Sequence, residues 1–443
     1  MENKKSHQGT ITRRSFVKSS FLTAVGTGLA ASGFSFVNDA ETANIAGYSK
    51  YQFPNAPIGN PQGIYPGRVI WIHDPAVAQW DGKTGFWWED NCTDLKRVEK
   101  MTSLALQKLT GKKTDKEAWN SLFVHFNQKA HGEKRDYRKG EKVLVKINMN
   151  TARESDQADL KINATPQAVL AIIRQLVEVA GVPADCISVL DCVRHITDNI
   201  VNPVWAKYPG VKFYDTSGQN GGQNGRIKTE YTPTDIAYAV KEENKMGVGI
   251  ATCILEADYI VNQALLKGHN VAGISLCAKN HFGSVNGRDH FYIRQYERGA
   301  ANYNPLVDVM GYKHFGGKTL LFMVDALWGA KDADRVPETW AIAPFNGEFP
   351  ASIFMSLDEI ALESVCYDLF AAEISDRRFM PLADSYLHEA ALAPNSPSGI
   401  QYSPNGTPLQ SLGVHEHWNN PIDRQYSGNL GKVGGIELIY IKG

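Results

Sequence analysis

The chain has 443 residues, with 46 Lys and Arg set against 47 Asp and Glu, so neither a nucleic-acid polyanion nor an acidic membrane surface is an obvious partner. The six cysteines (Cys92, Cys186, Cys192, Cys253, Cys277 and Cys366) form no C-x-x-C pair, which excludes the usual zinc ribbon, ferredoxin-type cluster and thioredoxin-like dithiol. The length is long for one domain and short for three, so the expectation is one large domain with N- and C-terminal decorations.

Thr12-Arg13-Arg14-Ser15-Phe16-Val17-Lys18 has the pattern of a twin-arginine signal: a hydroxyl residue, paired arginines, a spacer, an aromatic, an aliphatic and a lysine. Behind it the run from Phe21 to Val37 is diluted by Thr23, Gly26, Thr27, Gly28 and Ser32, which suits a signal h-region rather than a stable membrane span. Residues 1–45 are therefore expected to be a signal peptide and linker, the translocation machinery a partner during export, and the mature protein periplasmic or otherwise exported. Whether the signal is cleaved or kept as an anchor is left open by the absence of a clean A-x-A site. The twin-arginine route carries folded cargo and is common for proteins loaded with a cofactor before export, so a metal or cofactor stays a candidate.

Residues 46–139 read as a Trp-rich extension. Trp80, Asp81, Trp87, Trp88, Glu89 and Asp90 could make a sugar platform, although tryptophans capping an α/β core are commoner. From residue 140 the punctuation is that of an α/β fold. The run 142–148 reads as a strand, Thr165-Pro166 as a helix start, and apolar positions 169, 172, 173, 176, 177 and 180 as its buried stripe, closed by Gly181. A strand at 187–190 delivers Asp191 and completes a βαβ unit. Further strands are expected at 211–215, 258–262, 319–325 and 436–441, and a helix from the Ser356–Glu359 capping box to about Ala372. A mostly parallel sheet with helices on both faces follows. Polar loops at 218–225 and 395–408 are candidate rims of a site. Cys186 and Cys192 flank one strand and are a candidate disulfide, though the extended chain between them favours free thiols.

Lys146 and Asn148 at one strand end, Asp191 at the next, then Lys267-Gly268-His269, Lys279-Asn280-His281-Phe282-Gly283 and Asp325 stand in an order that resembles the domain of unknown function 362 family (DUF362). The resemblance runs from about Gly140 to Ala372, giving a core at 140–375 and a C-terminal extension at 376–443. It implies the fold and the location of a site but names no reaction, and the cysteine spacing shows that the ferredoxin segment of some family members is missing.

Ligands of open α/β sheets sit outside the carboxyl ends of the strands. There Lys146, Asn148, Asp191, Lys279, Asn280 and Asp325 are the candidate substrate-binding residues, with Lys267, His269 and His281 as candidate acid–base groups, a set suited to a small anion. Singly, each residue also has a bland reading, as a snorkelling lysine or a histidine satisfying loop carbonyls. His415 and His417, two apart in an extended segment, are the candidate metal ligands. They lack the helical H-E-x-x-H spacing and a third ligand, so packing or hydrogen bonding is the commoner role. No nucleotide-binding loop or serine-hydrolase elbow is present. The expectation is an exported enzyme acting on a small anionic or carbohydrate-derived substrate. The alternatives are a metal- or cofactor-loaded redox protein and a non-catalytic binding or accessory protein.

Overall fold

Among the described residues ten strands build the central sheet: β1 (Arg68–His73), β2 (Val143–Lys146), β3 (Ile187–Leu190), β4 (Lys212–Asp215), β5 (Ile227–Lys228), β6 (Tyr259–His269), β7 (Gly273–Ser275), β8 (Thr319–Ala330), β9 (Ser352–Ser356) and β10 (Glu437–Lys442). The computed structural model describes residues 55–150, 159–216, 225–239, 249–269, 272–286, 304–374 and 380–443. The signal segment and most of the 218–225 loop lie outside them. Strand order is β10-β1-β9-β8-β6-β2-β3-β4-β5, with β7 folded back on β6. β9 is antiparallel to both neighbours and β7 is antiparallel to β6. The other pairings are parallel. The fold is thus α/β with a mixed, mostly parallel sheet.

Helices cover both faces, and the strand residues alternate accordingly. Val143, Val145, Val261 and Met323 pack with α1 (Leu95–Thr110), α2 (Asp115–His131), α3 (Pro166–Arg174) and α4 (Asp198–Lys207). Leu144, Ile260 and Val324 face the other core, shared with α5 (Thr252–Glu256), α6 (Cys277–Asn280), α7 (Pro305–Gly311), α8 (Glu359–Glu373) and α9 (Met380–Ala391). The βαβ unit has the expected order: β2, then α3 with Pro166 in its first turn, a π-helical turn over Gln175–Val179, Gly181 at φ +76°, then β3. Strands β6 and β8 run well past the lengths the sequence suggested. β8 does so by a bulge, its register slipping between Asp325 and Gly329.

Both flanking segments contribute strands to this sheet. β1 pairs with β9 on one side and with β10 on the other, although Arg68 and Glu437, joined by a 2.7 Å ion pair, are 369 residues apart. Trp87 is fully buried, donates to Leu160 O at 3.1 Å and packs on Trp328. Trp80 donates to Thr84 O, and Trp88 stacks on Phe86 at 4.8 Å. These rings pack against their own surroundings rather than forming a common platform. All six cysteines are free thiols, so the candidate Cys186–Cys192 disulfide is not formed. Among the described residues no helix is long and apolar enough to cross a membrane.

The cap of α8 is Asp358, not Ser356: Asp358 Oδ1 accepts Ala361 N at 2.9 Å, while Ser356 Oγ accepts the amide of Asp358 itself. Asp358 Oδ2 also accepts Gln62 N (2.8 Å) and Val414 N (3.2 Å), so one buried carboxylate ties the start of the described chain, α8 and the C-terminal segment together. Asp358→Ala orphans three amides at once and is expected to lower unfolding stability by about 2 kcal/mol or more, read from the denaturant midpoint.

Candidate functional site

Strand β2 ends by delivering Lys146 into the interior, fully buried beneath the loop that follows α6. A buried ammonium needs partners. Its Nζ donates to Ile147 O and to Asn280 Oδ1 (3.1 Å) and lies 3.6 Å from Asp191 Oδ2. Burial pulls the Lys146 pKa down, and Asp191 opposes the shift. Asp191, at the end of β3, in turn accepts Met149 N at 3.0 Å and Val193 N at 3.2 Å.

Asn280 is the hub of this knot. Its Nδ2 donates to Lys146 O (3.1 Å) and Asn262 Oδ1 (2.8 Å), so one amide joins β2, β6 and α6. Asn148 Nδ2 reaches Asn280 Oδ1 at 3.4 Å. Helix α6 is held from below, because Glu363 Oε1 accepts Ala278 N at 2.6 Å and Glu363 Oε2 accepts the hydroxyl of Tyr386 on α9.

His281 belongs to the same scaffold. Asn262 Nδ2 lies 3.2 Å from its Nε2, Ser284 Oγ lies 3.2 Å from its Nδ1, and its ring stacks on Phe315 at 4.6 Å. The network assigns the proton to Nδ1. Burial, with Lys146 nearby, lowers its pKa to about 3, so the ring is neutral at physiological pH and both nitrogens are engaged. That geometry places His281 in the scaffold of the ligand-free site. His269 ends β6, and its Nδ1 accepts Ala272 N at 3.1 Å. Asp325, at the bulge of β8, accepts Thr165 N (2.8 Å), Thr165 Oγ1 (3.1 Å) and Leu327 N (3.3 Å). Burial lifts its pKa to about 6, and its bonds are spent on the start of α3.

Lys267 and Lys279 are different. They are 3% and 4% exposed and beyond the Lys146 knot. Lys267 Nζ donates to Asn150 Oδ1 at 2.6 Å. Asn150 is fixed by its own bonds to Ile162 O and Asn163 Oδ1. Burial lowers the Lys267 pKa to about 7; Asp334 opposes the shift, while Lys279 and Arg194 add to it. Lys279 lies over the Phe282 ring, 3.0 Å from its centroid. The Oδ1 of Asn148 and both amide atoms of Gln263 are buried with no hydrogen-bond partner among the described residues.

Of the groups that surround Lys146 and Lys267, sequence reasoning did not single out Asn150, Arg194, Asn262 or Gln263. Only the Asn-x-Asn spacing of 148 and 150 offered a signal for any of them. His415 and His417 stand apart, against α8 and α9: His415 Nδ1 is 2.8 Å from Ser364 Oγ, and His417 Nδ1 is 2.8 Å from Asp368 Oδ1.

Gly283 closes the knot. A Cβ there would sit 2.8 Å from Asp191 Oδ1 and 2.9 Å from Lys146 Nζ. Gly283→Ala is expected to cost about 1–3 kcal/mol by overpacking, with the loss visible as a lower thermal midpoint; an unchanged midpoint would show that the ion pair can shift freely.

No curated protein matches the sequence. A family model does match, over residues 143–368, slightly more than half of the chain and the span from β2 into α8 that carries the Lys146 knot. The chain belongs to the family described as Domain of unknown function (DUF362).

Proposed function

We propose that this chain is an exported enzyme that binds a small anionic or carbohydrate-derived substrate beside Lys267 and Lys279, with Lys267 as the group that takes up or releases a proton. The observation that carries the reading is the burial of Lys267, whose Nζ donates to Asn150 Oδ1 at 2.6 Å and whose basicity that burial depresses. An amine with a pKa near 7 exists in both forms at working pH, which suits a general base or a nucleophile. An anion entering beside Lys267 would favour its charged form, as Asp334 and Asp191 do in part, and the buried Gln263 amide and Asn148 Oδ1 are polar groups for it to meet. Lys146, Asn280, His281 and Asp191 support this site from beneath. Export rests on the twin-arginine pattern of residues 12–18. A non-catalytic binding protein would use the same residues, and recovery of the ligand unchanged after long incubation would favour it.

The pH dependence follows from the sign of the shift. The folded-state pKa of Lys267 lies near 7 and its ordinary value at 10.5, so between those limits the unfolded chain holds the extra proton. Its contribution therefore makes the ligand-free protein more stable as pH rises from 7 to 10.5. Lys267→Met is expected to remove this slope and to be more stable than the parent at pH 6. Thermal shift with sulfate, phosphate, acetate and glucuronate checks the binding half. Stabilisation by the anion should be greatest below pH 7, weaken above it, and vanish in Lys267→Met, and full retention in that variant would sink the assignment.

A further inference from the structure

The C-terminal extension brings a second set of chemically active groups together, one that does not depend on the anion-site reading. Asp384 and His388 stand one turn apart on α9, on the same helix face. His415 and His417, alternating in an extended segment, present their rings to that face. The ring centroids of His388 and His415 are 4.5 Å apart and those of His415 and His417 are 5.0 Å apart. One ligand atom each from Asp384, His388 and His415 lies within 4.8 Å of the others.

His415 and His417 have Nδ1 held from outside the cluster's centre, whereas His388 Nδ1 also lies 3.5 Å from Asp384 Oδ1. His415 Nδ1 meets Ser364 Oγ at 2.8 Å, His417 Nδ1 meets Asp368 Oδ1 at 2.8 Å, and His388 Nδ1 meets the main-chain oxygen of Asp384 at 2.9 Å. A hydroxyl, a carboxylate and a carbonyl that orient three imidazoles are the outer-sphere partners that metal-bound histidines use. The Nε2 atoms of His415 and His417 then each lie 3.4 Å from Asp384 Oδ1. That is too long for a charge-assisted hydrogen bond, which runs to about 2.7–2.9 Å. Asp384 Oδ1 is buried and meets no donor in bonding geometry. The same 3.4 Å matches the edge of a ligand tetrahedron, about 3.3–3.4 Å when metal–nitrogen bonds are about 2.0–2.1 Å.

We infer that Asp384, His388, His415 and His417 form a binding site for a divalent first-row transition-metal ion of the zinc or iron class. Three imidazoles, neutral once an ion has displaced the proton of His417, and one carboxylate supply the borderline donors such ions prefer over magnesium or calcium. The Asp368 carboxylate behind His417 adds a second negative charge, so ion and surroundings balance. Asp368 is itself fixed by Trp418 N (2.9 Å) and the Tyr426 hydroxyl (3.0 Å), so it cannot swing away. His388, His415 and His417 are buried, whereas the Asp384 side chain is 25% exposed, which gives the ion a way in on that side.

The test is metal binding by the full chain, purified without chelator, then stripped and titrated with Zn²⁺ and with Co²⁺ alone. The expected result is one ion per chain, a four- or five-coordinate Co²⁺ absorption spectrum and a raised thermal midpoint. Asp384→Asn, which keeps the shape of the side chain, and His388→Ala should each weaken binding beyond the roughly 10–100-fold that loss of an outer-sphere partner costs. Circular dichroism confirms that both variants fold. Failure of the stripped protein to bind either ion would overturn the inference, and so would unchanged affinity in both folded variants. Either outcome would leave the cluster a hydrogen-bonded histidine–aspartate network. Lys267→Met should keep the metal, which separates a failure here from a failure of the anion site.

Discussion

A lysine buried at the end of a central parallel strand has to have its charge met, and much of the site follows from how Lys146 meets it. Its ammonium is shared among Asn280, Ile147 O and Asp191, and those contacts force the loop after α6 down onto the ends of β2 and β3. Removing any one partner leaves a charge in a low-dielectric interior, so the group holds together or fails together. Because the knot is saturated, it has no hydrogen-bonding capacity left for a ligand. The neighbouring Lys267 and Lys279 lie beyond it, on a base that cannot easily deform.

The same logic links the two regions of interest. Helix α9 carries Asp384 and His388 toward the histidine cluster and, between them, Tyr386 toward Glu363. Glu363 holds the amide of Ala278 at the start of α6, next to Lys279 and Asn280. Glu363 is fully buried and its pKa is pushed up to about 7, chiefly by burial, while the bonds from Tyr386 and Ala278 work the other way. An ion that ordered α9 would therefore act on the position of α6 through one hydroxyl and one carboxylate.

What was readable in the sequence was what is locally encoded. β2, α3, β3 and β4 are short apolar runs closed by polar or turn residues, and α8 has a capping signature, although Asp358 rather than Ser356 supplies the cap. The strands β1 and β9 escaped notice, since their pairing joins segments nearly three hundred residues apart and their partners cannot be inferred from either alone. The candidate site residues could be named from the sequence, but their surroundings could not. Residue type cannot say that His281 has both nitrogens spent while Lys267 has one short bond, because that difference is burial and partner geometry. The His-x-His of 415 and 417 was read in the sequence and the Asp-x-x-x-His of 384 and 388 was not, since neither means much until the fold sets them face to face.

The closure of the sheet by β1 and β10 sets a clock on folding. β1 is made early, yet its two edges are covered only by β9 and by β10, the latter beginning at Glu437. At about 5–20 residues per second, the ribosome needs roughly 20–70 s to travel from Arg68 to its partner 369 residues later. Throughout that interval β1 is an apolar strand with an open edge, since α1 packs over its face but cannot pair its backbone. The sheet's centre can assemble first, whereas the far edge must wait for synthesis to pass residue 442. A chain that is to cross a membrane already folded, as proposed here, would have to be withheld from the translocase for at least that long.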